Sequence, residues 1–242
     1  MLRKSASLAV TTLALLGSAT VSAPAAYAQG TPDPAAQPAP ATPPAAPAAP
    51  EKAAPEKEVW KGPFGGTFTA GFAVLNDYSY RGISQTQRQV AVQASVGYET
   101  PAFSEKIPLS AYVGVWGSNV NFPGTGASVE LDLTAGFRLK ALDDKLTFDL
   151  GYIRYNYLGA PENLYLDFNE FGLVAGYDFG FAQLQAAVRY SPNFFANSGN
   201  AWYKWGQVTV PLPFLYVNEN VSFKVFGSVG NQSVERYTNY GI

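Results

Sequence analysis

The sequence predicts an all-β protein, and more specifically an antiparallel transmembrane β-barrel, on the strength of three observations. Apolar and polar residues alternate along most of the chain after residue 66, as they do on the two faces of a strand. Several alternating segments exceed the about 5 to 6 residues of a globular strand and match the about 9 to 11 that a tilted bilayer-spanning strand needs. Short and longer connections also alternate, which is typical of outer-membrane barrels.

The clearest alternating segment is 128–140, and the other segments are interpreted by analogy with it. One face of this extended segment is apolar, with Val129, Leu131, Leu133, Ala135, Phe137 and Leu139. The opposite face is polar or small, with Glu130, Asp132, Thr134, Gly136, Arg138 and Lys140. In a membrane strand the apolar face contacts lipid and the polar face lines the interior.

About nine such segments follow one another, and no window of similar length keeps an apolar period near 3.6 residues. They are 67–80, 89–99, 109–118, 128–140, 146–152, 170–179, 183–190, 202–210 and 221–229. The connections 141–145 and 180–182 are short, whereas longer polar loops occupy 81–88, 121–127, 159–167 and 191–200. Two links on the short side, 100–108 and 211–220, are longer than this pattern predicts.

The composition excludes several classes of function. Charged residues make up 14% of the 242 residues, and aromatic residues also make up 14%. The chain has no cysteine and no histidine, so disulfides, thiolate metal sites and imidazole catalysis are all excluded. A formal net charge of -2 gives no basic surface for nucleic acid. We therefore predict no cofactor, no metal site and no nucleic-acid partner.

The N-terminal part divides into two segments that precede the barrel domain. Residues 1–28 have the basic start, the apolar run at 6–16 and the small residues before a cleavage position at Ala28 that mark a secretory signal peptide. Residues 29–58 are almost entirely Ala and Pro, which predicts a disordered, extended tether. The barrel domain would then occupy 59–242.

The C-terminal part predicts a barrel that lacks one or more closing strands. Nine segments are an odd number, whereas bacterial single-chain barrels have an even number of strands. Residues 233–242 alternate poorly, and they would have to form a weak tenth strand. We expect about 10 strands here and up to 12 in a complete chain, because an open edge in lipid leaves backbone groups unsatisfied.

Aromatic residues near the ends of the segments predict contact with lipid headgroups. Amphipathic rings are enriched at this depth of a membrane. The residues concerned are Tyr78, Tyr80, Tyr98, Tyr152, Tyr177, Phe179 and Tyr190.

Three motifs resemble the TorF family, whose members are catalogued as conserved proteins of unknown function and are regarded as porins. The motifs are NDYSYRGISQTQ at 76–87, AYVGVWGSNVNF at 111–122 and ELDLTAGF at 130–137, and the similarity extends over roughly 67–229. The resemblance implies an outer-membrane barrel with a pore, but it supplies no substrate and no functional residues. The long Ala/Pro tether and the early C-terminus depart from the family pattern.

The leading functional prediction is a passive outer-membrane channel for small hydrophilic solutes or ions. Its partners would be outer-membrane lipids and these solutes, and self-association stays open. Polar residues on the inner face would line the pore or, in a barrel this narrow, fill it. The candidates are Gln93, Glu130, Asp132, Arg138, Lys140, Asp149, Glu170, Asp178, Gln183, Gln185, Arg189 and Lys224.

Three other classes of function are weighed against the channel. An envelope enzyme is disfavoured, because nucleophilic hydrolases usually need an imidazole that this chain lacks. A non-conducting barrel that is structural or binds a partner through its loops stays open. A soluble barrel or sandwich would instead turn its apolar face inward. The side chains that discriminate here are Phe68, Phe72, Leu131, Phe137, Phe148 and Leu173.

Overall fold

A computed structural model describes residues 6–19, 63–104, 106, 108–214 and 221–236. The predicted tether at 29–58, the cleavage position at Ala28 and the last residues, 237–242, lie outside the described residues. Among these described residues, the strands are interrupted by three short 3-10 turns, Pro63–Gly65, Glu162–Leu164 and Phe195–Asn197. Within the described residues, no helix has the length and apolar character needed to span a membrane.

The strands reproduce the predicted order, with one hairpin and one N-terminal strand added. They are β1 (Ala6–Ala19), β2 (Thr67–Leu75), β3 (Ser79–Tyr80), β4 (Ile83–Ser84), β5 (Ala91–Glu99), β6 (Leu109–Asn119), β7 (Val129–Ala141), β8 (Leu146–Leu158), β9 (Phe168–Asp178), β10 (Gln183–Ser191), β11 (Ala201–Pro211) and β12 (Val221–Val234). The all-β prediction is therefore confirmed. The segment predicted as loop 81–88 supplies the turn and the second strand of a short hairpin formed by β3 and β4.

Ten of these strands form one antiparallel sheet in the described residues. Its order is β1-β12-β11-β10-β9-β8-β7-β6-β5-β2, so each strand from β5 to β12 pairs with its neighbour along the chain. Leu133, at the centre of β7, lies opposite Val115 of β6 and Arg154 of β8. The strand β1 lies within the predicted signal peptide and pairs with β12 from Ala6 to Ala19. Cleavage of that segment stays a prediction.

The two faces of the sheet differ in polarity, and the polar face is the buried one. The outer face exposes large apolar side chains: Phe72 is 67% exposed, Leu150 59% and Phe137 48%. The inner face buries charged side chains, with Glu130 at 0% and Glu170 at 1%. The six discriminating apolar residues therefore do not converge on a shared dry interior. Five are exposed and Leu131 is half-buried on the same face.

Strands β8 and β12 extend well beyond their predicted bounds toward the long loops, and we call this end of the sheet the loop end. Strand β8 continues from Tyr152 to Leu158, and the alternation reverses its polarity there. Ile153, Tyr155 and Tyr157 are buried on the inner face, while Arg154 lies on the outer face. The predicted strand 146–152 stops at Tyr152, where the apolar positions change face. The opposite end, with the connections 100–108, 142–145, 179–182 and 212–220, is called the turn end.

Aromatic side chains form the packed core at the loop end. The rings of Tyr155 and Phe168 stack with centroids 4.2 Å apart, and Phe122 packs edge-on against Phe195 at 5.8 Å. Tyr78 and Tyr80, predicted to lie among headgroups, are buried in this cluster instead, so that prediction is wrong. The segment after β2 folds back over the inner face rather than continuing outward.

Candidate functional site

All of the predicted pore-lining residues lie on the inner face. The strand register establishes this, because residues directly opposite each other in a ladder share a face. Gln93 lies opposite Ser118, which lies opposite Glu130, and the series continues across β8 to β12. The sequence pattern therefore assigned these side chains to one surface correctly.

Half of the candidates are buried, and all of them except Arg138 lie in the middle and loop-end parts of the inner face. They are Gln93, Glu130, Asp132, Arg138, Glu170 and Arg189. The other half are partly or fully exposed nearer the turn end: Lys140, Asp149, Asp178, Gln183, Gln185 and Lys224. The inner face is thus packed at the loop end and more accessible toward the turn end, where Ser110 and Arg138 are nonetheless buried.

The β3–β4 hairpin closes the loop end by inserting Arg81 over the inner face. Arg81 and Gly82 form the two-residue turn between Tyr80 and Ile83, and both have positive φ, 50° and 83°. This is the geometry of a type I′ hairpin turn, which readily accepts glycine but is uncommon for arginine. The turn places the Arg81 side chain at the hairpin tip, where it is buried.

The Arg81 guanidinium connects the start of the sheet to its last strands. Its Nη2 donates to Glu170 Oε2 of β9 at 2.6 Å, and its Nη1 donates to Gln232 Oε1 of β12. The guanidinium carbon lies 4.0 Å from the ring centroid of Tyr203 of β11 and 4.6 Å from that of Tyr80. A planar, multidentate cation suits this arrangement better than a lysine would.

Buried carboxylates beside the hairpin accept hydrogen bonds from tyrosines. Glu130 Oε1 accepts from the hydroxyls of Tyr78 and Tyr157, each at 3.3 Å. Glu170 Oε2 accepts from Tyr155 at 3.2 Å in addition to its ion pair with Arg81. Because buried charges need partners, this network holds the hairpin against β7, β8 and β9.

A second ion-pair network lies nearer the turn end. Arg138 Nη2 donates to Asp149 Oδ2 at 2.9 Å, and its Nη1 donates to Glu99. Tyr112 donates to Asp149 Oδ1 at 2.7 Å, and the Arg138 guanidinium lies 4.9 Å from the Tyr112 ring centroid. These contacts cross four adjacent strands, so they fix side chains along the wall of the inner face.

Inward-facing glycines let large side chains lie flat against that wall. A Cβ at Gly136 would lie 2.6 Å from the Tyr112 hydroxyl, and one at Gly151 would lie 2.7 Å from it. Likewise, a Cβ at Gly172 would lie 3.1 Å from the Arg189 guanidinium. Tyr112 and Arg189 therefore cross neighbouring strands instead of projecting away from the sheet.

We expect Gly136→Ala to destabilise the fold. The new methyl group would meet the Leu150 carbonyl oxygen at 2.5 Å as well as the Tyr112 hydroxyl, and backbone cannot yield easily. Overpacking of this kind costs about 1–3 kcal/mol, which a urea titration would detect as a lower midpoint. Gly206→Ala is the matched control, because its Cβ would meet nothing closer than 3.7 Å. Equal midpoints for the two variants would contradict the packing argument.

Sequence reasoning missed Arg81 and the aromatic residues that surround it. The segment containing Arg81 was interpreted as a rim loop, although Arg81-Gly82 between Tyr80 and Ile83 carried a usable hairpin signal. The inward direction of that hairpin depends on contacts with β9, β11 and β12, which are distant in sequence. Among the residues that the structure describes, His, Cys, Asp and Glu form no group of three suited to a metal.

The comparison with protein families matches most of the chain. The family described as "Bacterial protein of unknown function (Gcw_chp)" matches residues 60–241. The chain belongs to this family. The match begins close to the start of the predicted barrel domain and includes every strand from β2 to β12. No curated protein matches the chain. Membership of the Gcw_chp family thus agrees with the resemblance to proteins of unknown function but assigns no activity.

Proposed function

We propose that this Gcw_chp protein is an outer-membrane β-barrel. The observation that carries the proposal is the inverted polarity of the sheet: Phe72, Leu133 and Leu150 are exposed on the outer face, while Glu130 and Glu170 are buried on the inner face. In water, so large an exposed apolar surface would be costly and would favour aggregation. In a membrane the same apolar surface would contact acyl chains, which is favourable. The polar face would then form an enclosed interior.

The interior network supports closure of the sheet around an axis. Arg81 follows the first strand of the predicted barrel domain, yet it contacts β9, β11 and β12 at the far side of the sheet. The inner face must curve strongly for these contacts to coexist. A closed sheet would also satisfy the strand edges, which lipid cannot do.

Within such a barrel we assign a passive channel for small hydrophilic solutes or ions, as the resemblance to the TorF family suggests. The turn end presents an accessible polar mouth with Lys140, Asp178, Gln183, Gln185 and Lys224. Because acidic and basic side chains are mixed on the inner face, ion selectivity should be weak, with a slight preference for cations. The packed hairpin around Arg81 makes the described conformation a closed one.

A second candidate is a non-conducting barrel, and the packing of the loop end favours it. Tyr155, Phe168 and Glu130 are essentially inaccessible to water, as expected where side chains fill a narrow barrel. On this alternative the polar network stabilises the fold, and the long loops provide the surface for a partner.

Planar-bilayer recordings of the purified protein test the channel. We expect small, infrequent conductance steps with weak cation preference, seen as a small reversal potential in a salt gradient. Folding into vesicles is followed separately by protease protection of the strands. A protein that folds into vesicles and shows no conductance would support the non-conducting barrel. A protein that never enters vesicles would overturn the membrane proposal itself.

A further inference from the structure

The turn end carries a ring of exposed apolar side chains, with at least one in the described part of each chain segment that reaches it. These residues are Phe64 before β2, Phe103 between β5 and β6, Leu142 between β7 and β8, Phe181 between β9 and β10, and Phe214 between β11 and β12. We call them the turn ring. Their side chains are between 58% and 94% exposed, although turns usually carry polar residues.

The turn ring is continuous with the apolar outer face. Tyr177 lies on the outer face of β9, its ring centroid is 4.6 Å from that of Phe179, and Phe179 is 5.9 Å from Phe181 in the turn. A second aromatic pair, Phe68 and Tyr98, lies at the turn end of β2 and β5 with centroids 4.8 Å apart. Apolar surface thus extends from the strands into the turns without a polar boundary.

At the loop end, by contrast, the outer face becomes polar early. On β8 the change falls between Tyr152 and Arg154, whose guanidinium pairs with Asp167 at 3.0 Å. The register places Asn169 of β9 opposite Arg154. On β11 and β12 polar residues occur two outward-facing positions nearer the turn end, at Lys204 and Asn231, which lie opposite each other, and Trp202 is exposed beyond Lys204.

On β8 the strand alone presents a thin apolar band, whereas the outer face of β7 is apolar from Val129 to Leu139. From Leu146 to Tyr152 the outer face of β8 spans roughly 20 Å along the strand, or about 15 Å along the membrane normal at a 40° tilt. Outer-membrane barrels carry an apolar band about 25 Å tall. Because Arg154 and Lys204 limit the band at the loop end of β8 and β11, additional thickness on these strands has to come from the turn end.

We infer that the turn ring lies in the headgroup region of the adjacent phospholipid leaflet and anchors the barrel there. This inference rests on the proposed membrane location and adds the depth of insertion to it. A lipid leaflet fits better than a protein partner, because apolar residues occur in every segment of this end rather than on one side. Charges beside them, such as Asp143 and Lys145 next to Leu142, suit a headgroup layer.

Single-cysteine labelling can measure this depth, because the chain contains no cysteine of its own. Phe181→Cys and Phe214→Cys carry an environment-sensitive fluorophore in the turn ring. Leu150→Cys marks the middle of the outer face, and Tyr165→Cys marks an exposed loop-end position. Each labelled protein is folded into phosphatidylcholine vesicles that carry nitroxide either on the headgroup or deep in the acyl chain, and iodide is added as an aqueous quencher.

We expect labels at 181 and 214 to show blue-shifted emission and to lose intensity mainly to the headgroup nitroxide. The label at 150 should respond to the deep nitroxide, and the label at 165 to iodide. If position 150 responds to lipid while 181 and 214 respond to iodide like 165, the barrel is inserted and the anchoring inference is wrong. If the label at position 150 is quenched by iodide and by neither nitroxide, the outer face does not contact lipid and the membrane proposal itself is wrong.

Discussion

Replacing Leu150 by arginine is expected to destabilise the protein in a bilayer by about 2–4 kcal/mol, the cost of a cationic side chain at mid-depth on the lipid face of a barrel. Leu150 lies on the outer face between Phe137 of β7 and Leu173 of β9, with apolar neighbours on both sides. Its side chain is exposed, so the substitution creates no internal clash. Urea titration of the protein folded in lipid vesicles would show the loss as a lower midpoint.

The stability change caused by Leu150→Arg distinguishes a membrane-embedded outer face from one that is exposed to water. In water, an arginine at an exposed position changes stability by no more than about 0.5 kcal/mol and improves solubility. Tyr165→Arg is the matched control, because Tyr165 is as exposed as Leu150 but lies in the loop between β8 and β9. If Leu150→Arg and Tyr165→Arg have equal midpoints, the outer face does not contact lipid.

The fold could be predicted well because strand alternation is a local property. The segment predicted as 128–140 is strand β7, Val129–Ala141, and the pairing of neighbouring segments follows from their order. Strand β8 was predicted too short because Ile153, Tyr155 and Tyr157 bring apolar side chains to the inner face. Side chains continue to alternate between the two faces beyond Tyr152. There, however, the apolar residues lie on the inner face and the polar residues on the outer face.

From the sequence, the candidate site could be predicted only as a set of residues on one face of the sheet. Alternation placed Glu130, Arg138 and Glu170 on one face, yet it contains no information about what covers that face. Burial of these residues depends on a hairpin tip at Arg81 that reaches strands about 90 to 150 residues away in sequence. Such contacts depend on how strands distant in sequence are brought together, so no local pattern could distinguish a lined pore from a filled one.

Removing the Arg81 side chain is expected to open the loop end. Arg81→Ala deletes the ion pair to Glu170 and the hydrogen bond to Gln232, and it leaves a buried carboxylate without its cation. Breaking a buried pair from one side costs about 3–5 kcal/mol, more than a two-strand hairpin can offset. The hairpin should therefore leave the inner face, and planar-bilayer recordings should show larger and longer conductance steps than the wild type.

Arg88→Ala is the control for this prediction, because Arg88 belongs to the same connection but its side chain is exposed. Arg81→Lys should fall between wild type and Arg81→Ala, since an ammonium keeps the charge but loses the planar contacts with Tyr203 and Tyr80. If Arg81→Ala lowers the urea midpoint and leaves the bilayer silent, the hairpin is a structural filling and the non-conducting barrel is correct. A graded rise in conductance from wild type through lysine to alanine, absent from Arg88→Ala, would instead identify Arg81 as the contact that keeps the channel closed.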